Sequence, residues 1–438
     1  MRVPKGIRWF AVGLLSLALL AGCSGGSGSG SKAGETITLR FFHKWPEPDH
    51  MAYYNAVIQK WEKEHPNIKI EMEAVSDEAY KDKIRVLMAG NNVPDIYFSW
   101  AGEFAWKFAR AGQALDLTDA FMNSDWKDAV VNSAVQPYVW DGKVYGIPMR
   151  INGKFMVYNK KVFNDLGLQP PKTWDEFLEA CETIKQAGIV PIAFGNEFPW
   201  AASHYVGDLN AKLVPPEVRQ ADYLLEADPE TLFTDPGYVE ALRRFKELND
   251  KGYFNEGPNA IGHDMARSNF LVGNTAMIYV ELEEFVTVHE EMGDENVGFF
   301  RLPSNPGDRG DPNVLTGAPD GFMIYSKTPH PEEAIAFLKF LVSEENGKEY
   351  VRQLGIPSAA VGAVTEETSF PLLEAGLQEV DKASGMALWL DTDINIKVIE
   401  VYLPGLQAVL TGSKTPEQVM QEVRDQALKV QQELKAGS

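Results

Sequence analysis

The stretch Asp141–Phe163, DGKVYGIPMRINGKFMVYNKKVF, decides how this chain folds. Asp141-Gly142 reads as a tight turn, because glycine tolerates positive φ and aspartate hydrogen-bonds its own backbone. Lys143 to Gly146 then runs as a short strand. Ile147 stays extended, since the residue before a proline avoids the α region. Phe155 to Tyr158 reads as a second, buried strand, and Arg150, Ile151, Asn152 and Gly153 lie between the two.

Upstream, Thr36 to Phe42 (TITLRFF) reads as a buried strand followed by a loop, His43 to Pro48. Tyr54, Val57, Ile58 and Trp61 form a helical stripe that Pro66 stops. Ile68 to Ala74 alternates as a strand. Tyr80, Ile84, Leu87 and Met88 mark a helix ended by Gly90. Pro94 to Phe98 is a third strand, with Ser99 to Gly102 as its loop. Strands alternating with helices predict a parallel sheet. Downstream, Thr173-Trp174-Asp175-Glu176 is a capping box. Trp174, Phe177, Leu178, Cys181 and Ile184 share one helical stripe, which makes Cys181 a buried core thiol. Ile189 to Phe194 is a strand with the loop Gly195 to Trp200 after it.

At 438 residues, 45% of them hydrophobic, the chain is long enough for two domains with ample core. The formal net charge of −21 argues against nucleic acid and anionic membrane surfaces as partners. The seven histidines show no metal-ligand spacing, and HExxH, P-loop and GxGxxG motifs are absent. No cofactor or metal is expected. Residues 1–23 read as a targeting segment, with a basic start (Arg2, Lys5, Arg8), an apolar run Trp9 to Leu20, and Leu20-Ala21-Gly22-Cys23 matching a bacterial lipobox. Cys23 is then the acylated N-terminus carrying diacylglycerol, and residues 24–34 are a Gly/Ser tether.

The opening stretch is followed directly by LGLQPPKTWDEF (Leu166–Phe177). Before it come WEKEHPNIKI (Trp61–Ile70) and NNVPDIYF (Asn91–Phe98). In that order the chain resembles the extracellular solute-binding proteins of ABC sugar importers, of the maltose-binding-like type. The resemblance covers nearly all of residues 35–438. It implies an α/β, two-lobed type II periplasmic-binding-protein-like fold, each lobe a mixed, mainly parallel sheet flanked by helices, with a ligand cleft between. Residues 150–154 would be the first chain crossing between lobes, Gly317 to Gly321 the second, and Gly355-Ile356-Pro357 the third. The N-terminal lobe would comprise residues 35–150 plus 321–357, and the C-terminal lobe 153–317 plus 358–438. One departure stands out. Many relatives carry Gly-x-Trp where this chain has Val280-Glu281-Leu282-Glu283, so a carboxylate replaces an aromatic platform.

The resemblance implies a binding protein, not an enzyme. It would be lipid-anchored on the extracellular face of the bacterial membrane and monomeric, capture a carbohydrate (an oligosaccharide), and deliver it to ABC permease subunits. Sugars present apolar C–H faces and hydroxyl edges, which call for aromatic platforms and planar polar groups. The loops after strands supply candidates: His43, Trp45 and Glu47; Trp100 and Glu103; Arg150 and Asn152; Asn196 and Trp200; Glu281; Asp320; Trp389 and Asp391. Two alternatives remain at this point. A secreted glycoside hydrolase would also use acids and aromatics in a cleft, and the same fold could bind a cationic solute drawn by the acidic balance. The lipobox makes one prediction at once: Cys23→Ala releases the protein from the membrane fraction of cells, because the diacyl chain is its anchor. A mutant that stays with the membranes contradicts the lipoprotein reading.

Overall fold

The computed structural model describes residues 36–90 and 92–437, so Cys23 and the tether lie outside the described residues. Two sheets carry the architecture. In the first, the strand order is Ile68–Ala74, Ile37–His43, Ile96–Trp100, Asp320–Ile324 and Gly146–Arg150. The first pair runs parallel from Ile37↔Ile68 to His43↔Ala74, because the helix Pro48–Glu64 carries the chain back across the sheet between them. Ile96–Trp100 is parallel as well, whereas Asp320–Ile324 is antiparallel to both of its neighbours. The second sheet has the order Val297–Phe300, Lys154–Asn159, Thr275–Glu281, Val190–Ala193. Only its last pair is parallel.

The α/β two-sheet architecture agrees with the sequence expectation, but the sheets are less parallel than expected. Strands that follow a crossing enter their sheet from the opposite end and must pair antiparallel. Alternation along Lys154–Asn159 puts Phe155 and Val157 in one core and Met156 and Tyr158 in another, so this strand is covered on both faces. The first sheet has its own core, which includes Phe41, Phe98 and Phe322 and takes in Phe337 from the helix Pro331–Leu341.

The opening stretch folds largely as read. Asp141 and Gly142 both take positive φ (48° and 72°) and join Val139–Trp140 to Lys143–Val144 in a tight hairpin. The strand Gly146–Arg150 runs through Pro148, further than the sequence suggested. Pro148 is tolerated because this strand lies at the sheet edge. Ile151, Asn152 and Gly153 then bridge from the first sheet to the second. The later segments pass against this bridge. Ile151 N–H donates to Pro357 C=O (3.1 Å), and Ala359 N–H to Met149 C=O (2.9 Å). Gly317 approaches so closely that a Cβ there would lie 2.4 Å from Asn152 O, so a side chain at 317 would push two of the connections apart. Cys181 is fully buried in the second-sheet core, as its stripe implied. Thr173 caps its helix by accepting from Glu176 N–H, while Glu176 takes Lys172 N–H.

Candidate functional site

The carboxyl ends of the first-sheet strands and the end of Thr275–Glu281 face a common cleft of about 660 Å³. Ligands of open α/β sheets bind at such strand ends. Four of the anticipated tryptophans line it: Trp45, Trp100, Trp200 and Trp389. So do the anticipated acids Glu47, Glu281, Asp320 and Asp391. Trp100 closes the strand Ile96–Trp100 rather than sitting in a loop, and Trp200 opens the helix Trp200–Leu213. Trp200 is the half-buried member; Trp45, Trp100 and Trp389 are almost fully enclosed. Three of the rings lie against an Arg, Lys or His side chain. The Arg150 guanidinium stands 4.9 Å from Trp45, Lys44 Nζ lies 4.9 Å from Trp100, and His204 stacks on Trp389 at 4.3 Å.

Five candidates do not line the cleft; they sit behind it. His43 ends its strand in the core, where its Nδ1 accepts from Trp45 N–H (3.2 Å). Arg150 is buried and pairs with Asp320 (Nε to Oδ2, 2.7 Å) and with Glu283. Asn152 donates from Nδ2 to Glu281 Oε2 (2.5 Å). Glu103 is spent on Arg110 within its own helix, Glu103–Arg110. Asn196 faces the second-lobe interior, where it donates to Asn259 Oδ1 (2.7 Å) and accepts from Ala202 N–H.

The sequence reading missed most of the cleft's cations and several of its acids. Lys44 pairs with Asp77 (2.9 Å), and Lys81 with Glu78 (3.3 Å) and Asp391 (3.4 Å). Glu284 accepts from His263 (2.6 Å) and Arg267 (2.9 Å). Lys154 Nζ lies 2.8 Å from His204 Nδ1 and 3.6 Å from Glu281 Oε1. An ammonium can only donate, so this ring nitrogen accepts and His204 is neutral. Burial and the Lys154 charge hold its pKa well below the usual value. Burial also opposes charge on Lys44, yet Asp77 and Asp320 keep its ammonium firmly protonated. Burial likewise pushes the Glu281 carboxyl up to about 8, against the pull of Lys154 and with the help of Glu283 and Glu284. Most of the buried carboxylates thus have a cation beside them, and the wall is a dense set of donors and acceptors in which acids outnumber cations. Asp320 is buried, lines the cleft, and its Oδ1 has no partner among the described residues. Among those residues no group of three or more His, Cys, Asp or Glu is arranged to hold a metal ion.

Residues 44–348 match the family described as bacterial extracellular solute-binding protein, and the chain belongs to that family. It is 27% identical over 377 residues to a multiple sugar-binding protein of Streptococcus mutans, covering 84% of this chain and 86% of that one. To the melibiose/raffinose/stachyose-binding protein MelE of Bacillus subtilis it is 24% identical over 365 residues, 78% of this chain and 79% of the other. A solved structure of a chitin oligosaccharide binding protein superposes with a TM-score of 0.82 at 26% identity, over 92% of this chain and all of the other.

The raised carboxyl of Glu281 gives a pH-dependent prediction. Its folded pKa lies above the unfolded value, so its contribution to stability is complete below about pH 4.5 and is lost as pH rises through about 8. Glu281→Gln mimics the protonated form. The melting temperature of Glu281→Gln relative to the parent therefore increases from pH 5 to pH 8 in calorimetric scans. A difference that stays constant across that window shows that Glu281 is ionised throughout.

Proposed function

We infer that the protein captures a carbohydrate, specifically an oligosaccharide, outside the cell and delivers it to an ABC permease in the membrane. The observation that carries this is the unpartnered Oδ1 of Asp320 in a cleft walled by four indoles. A buried carboxylate oxygen without a partner costs free energy that a ligand hydroxyl recovers. The aromatic surface beside it suits the apolar face of a sugar ring. A cleft of 660 Å³ also falls within the ~300–1,000 Å³ of small-molecule sites. The sugar-binding names of the relatives support the same ligand class.

A cationic solute at the base of the cleft would have to compete with Lys44, Lys81 and Arg150 for Asp77, Asp391 and Asp320. The chain acts by binding, and it leaves the sugar unhydrolysed; incubation with oligosaccharides should release no new reducing ends. The first-sheet and second-sheet bodies, assigned as residues 35–150 plus 321–357 and 153–317 plus 358–438, close over the ligand by bending at the three connections. Diacylglycerol on Cys23 holds the monomeric receptor at the membrane, beside its permease.

Trp200→Ala should weaken binding of the cognate sugar by about 1–3 kcal/mol, the scale of losing one aromatic platform, while far-UV circular dichroism stays unchanged. Titration calorimetry against the sugar that raises the melting temperature most in a panel decides it. Unchanged affinity would return Trp200 to a packing role.

A further inference from the structure

A second cavity of about 640 Å³ adjoins the cleft. The two share a wall made of Glu78, Lys81, Trp200 and Asp391. Beyond that wall the chemistry changes. Ile84 and Met88 come from the helix Asp77–Ala89, Phe104 and Phe108 from Glu103–Arg110, and Ile399 and Leu403 from Ile396–Leu410. Lys107 lies along this space with Nζ 3.2 Å from the Phe104 ring centroid and 4.8 Å from that of Phe108. Burial lowers its pKa to about 7, so even this cation is only partly charged at neutral pH.

The partition is thin. The Lys81–Asp391 contact across it measures 3.4 Å, longer than a charge-assisted hydrogen bond of ~2.7–2.9 Å, and Lys81 has Glu78 as a second partner at 3.3 Å. A long lysine side chain can turn toward Glu78 and leave the passage open. Trp200 borders both chambers, so one indole can serve a group on either side.

We propose that this annex receives an aryl group glycosidically linked to the carbohydrate that occupies the cleft. The proposal rests on the carbohydrate reading of the cleft. Sugar hydroxyls placed against Ile84, Phe108 and Leu403 would lose water without gaining partners, which is costly. A planar apolar ring needs no such partners and gains by burying surface against these side chains. The site would then discriminate aryl glycosides from the plain sugars of the same linkage.

Two titrations test it on the full chain. Free 4-methylumbelliferone, which needs no sugar site, should bind saturably at one per chain by fluorescence anisotropy. Binding should weaken at least tenfold in Leu403→Gln, and in Ile396→Ser, whose side chain is 40% exposed at the annex wall and so spares the core. Cellobiose, xylobiose, chitobiose and lactose are then compared by calorimetry with their 4-methylumbelliferyl glycosides. The sugar that binds should bind about tenfold tighter as the glycoside, and Leu403→Gln should remove that gain while leaving the plain sugar's affinity unchanged. Absence of saturable umbelliferone binding overturns the annex whatever the sugars do. Equal affinity of sugar and glycoside overturns the proposal and leaves the carbohydrate reading intact. Umbelliferone held while every sugar and glycoside fails overturns the carbohydrate reading, and the aryl-glycoside proposal with it.

Discussion

The buried guanidinium of Arg150 is the contact on which the rest depends. It sits at the last position of Gly146–Arg150, immediately before the chain leaves the first sheet. Asp320, its partner, is the first residue of the strand that re-enters that sheet. Glu283, the other partner, follows the strand Thr275–Glu281 of the second sheet. Backbone bonds from Ile151 and Ala359 hold the third connection against the same place. One side chain thus ties the two sheets together at their first two connections. Breaking a buried pair of this kind costs about 3–5 kcal/mol, because the remaining charge is stranded away from water. The same guanidinium lies over the Trp45 ring and leaves Asp320, a residue of the cleft wall, one oxygen without a partner. Structure and recognition are therefore coupled in one network.

That network also sets the character of the cleft in a chain with a net charge of −21. In the cleft wall and just behind it, Lys44, Lys81, Lys154 and Arg150 are set against Asp77, Asp391, Glu281 and Asp320. Such pairs fix the direction of their donors and acceptors. That is the environment in which hydroxyl groups, rather than ions, are selected.

Much of this was legible in the sequence. The strand and helix periodicities of residues 36–100 located the first sheet, and the Asp-Gly turn with the flanking strands located the first connection. The aromatic candidates reached the cleft because they end strands or begin the elements that follow. What the sequence could not show is which side of a strand end faces the ligand. Lys44 and Trp45 enter the cleft, but His43, one residue earlier, points into the core. Arg150 and Asn152 flank the connection yet turn inward to hold Asp320 and Glu281. Residues 195–200 read as a loop, so the helix beginning at Trp200 was not foreseen, and His204 was not placed one turn along on the same face. Glu103 and Arg110 were likewise not seen as partners, because their pairing needs a helix where the sequence showed only a loop after a strand. The parallel character was overestimated because nothing local records that a strand has crossed from the other sheet.

The central proposal is that a carbohydrate bridges the walls of the cleft and closes them on each other. Only a ligand touching both bodies can shift that equilibrium, and here Trp45, Trp100 and Asp320 face Trp200 and Glu281 across the space. Small-angle X-ray scattering of the protein with and without saturating sugar tests this most directly. Closure predicts a smaller radius of gyration in the bound state. An unchanged scattering curve, with binding confirmed by calorimetry on the same sample, would contradict it and assign all of the binding to one side of the cleft.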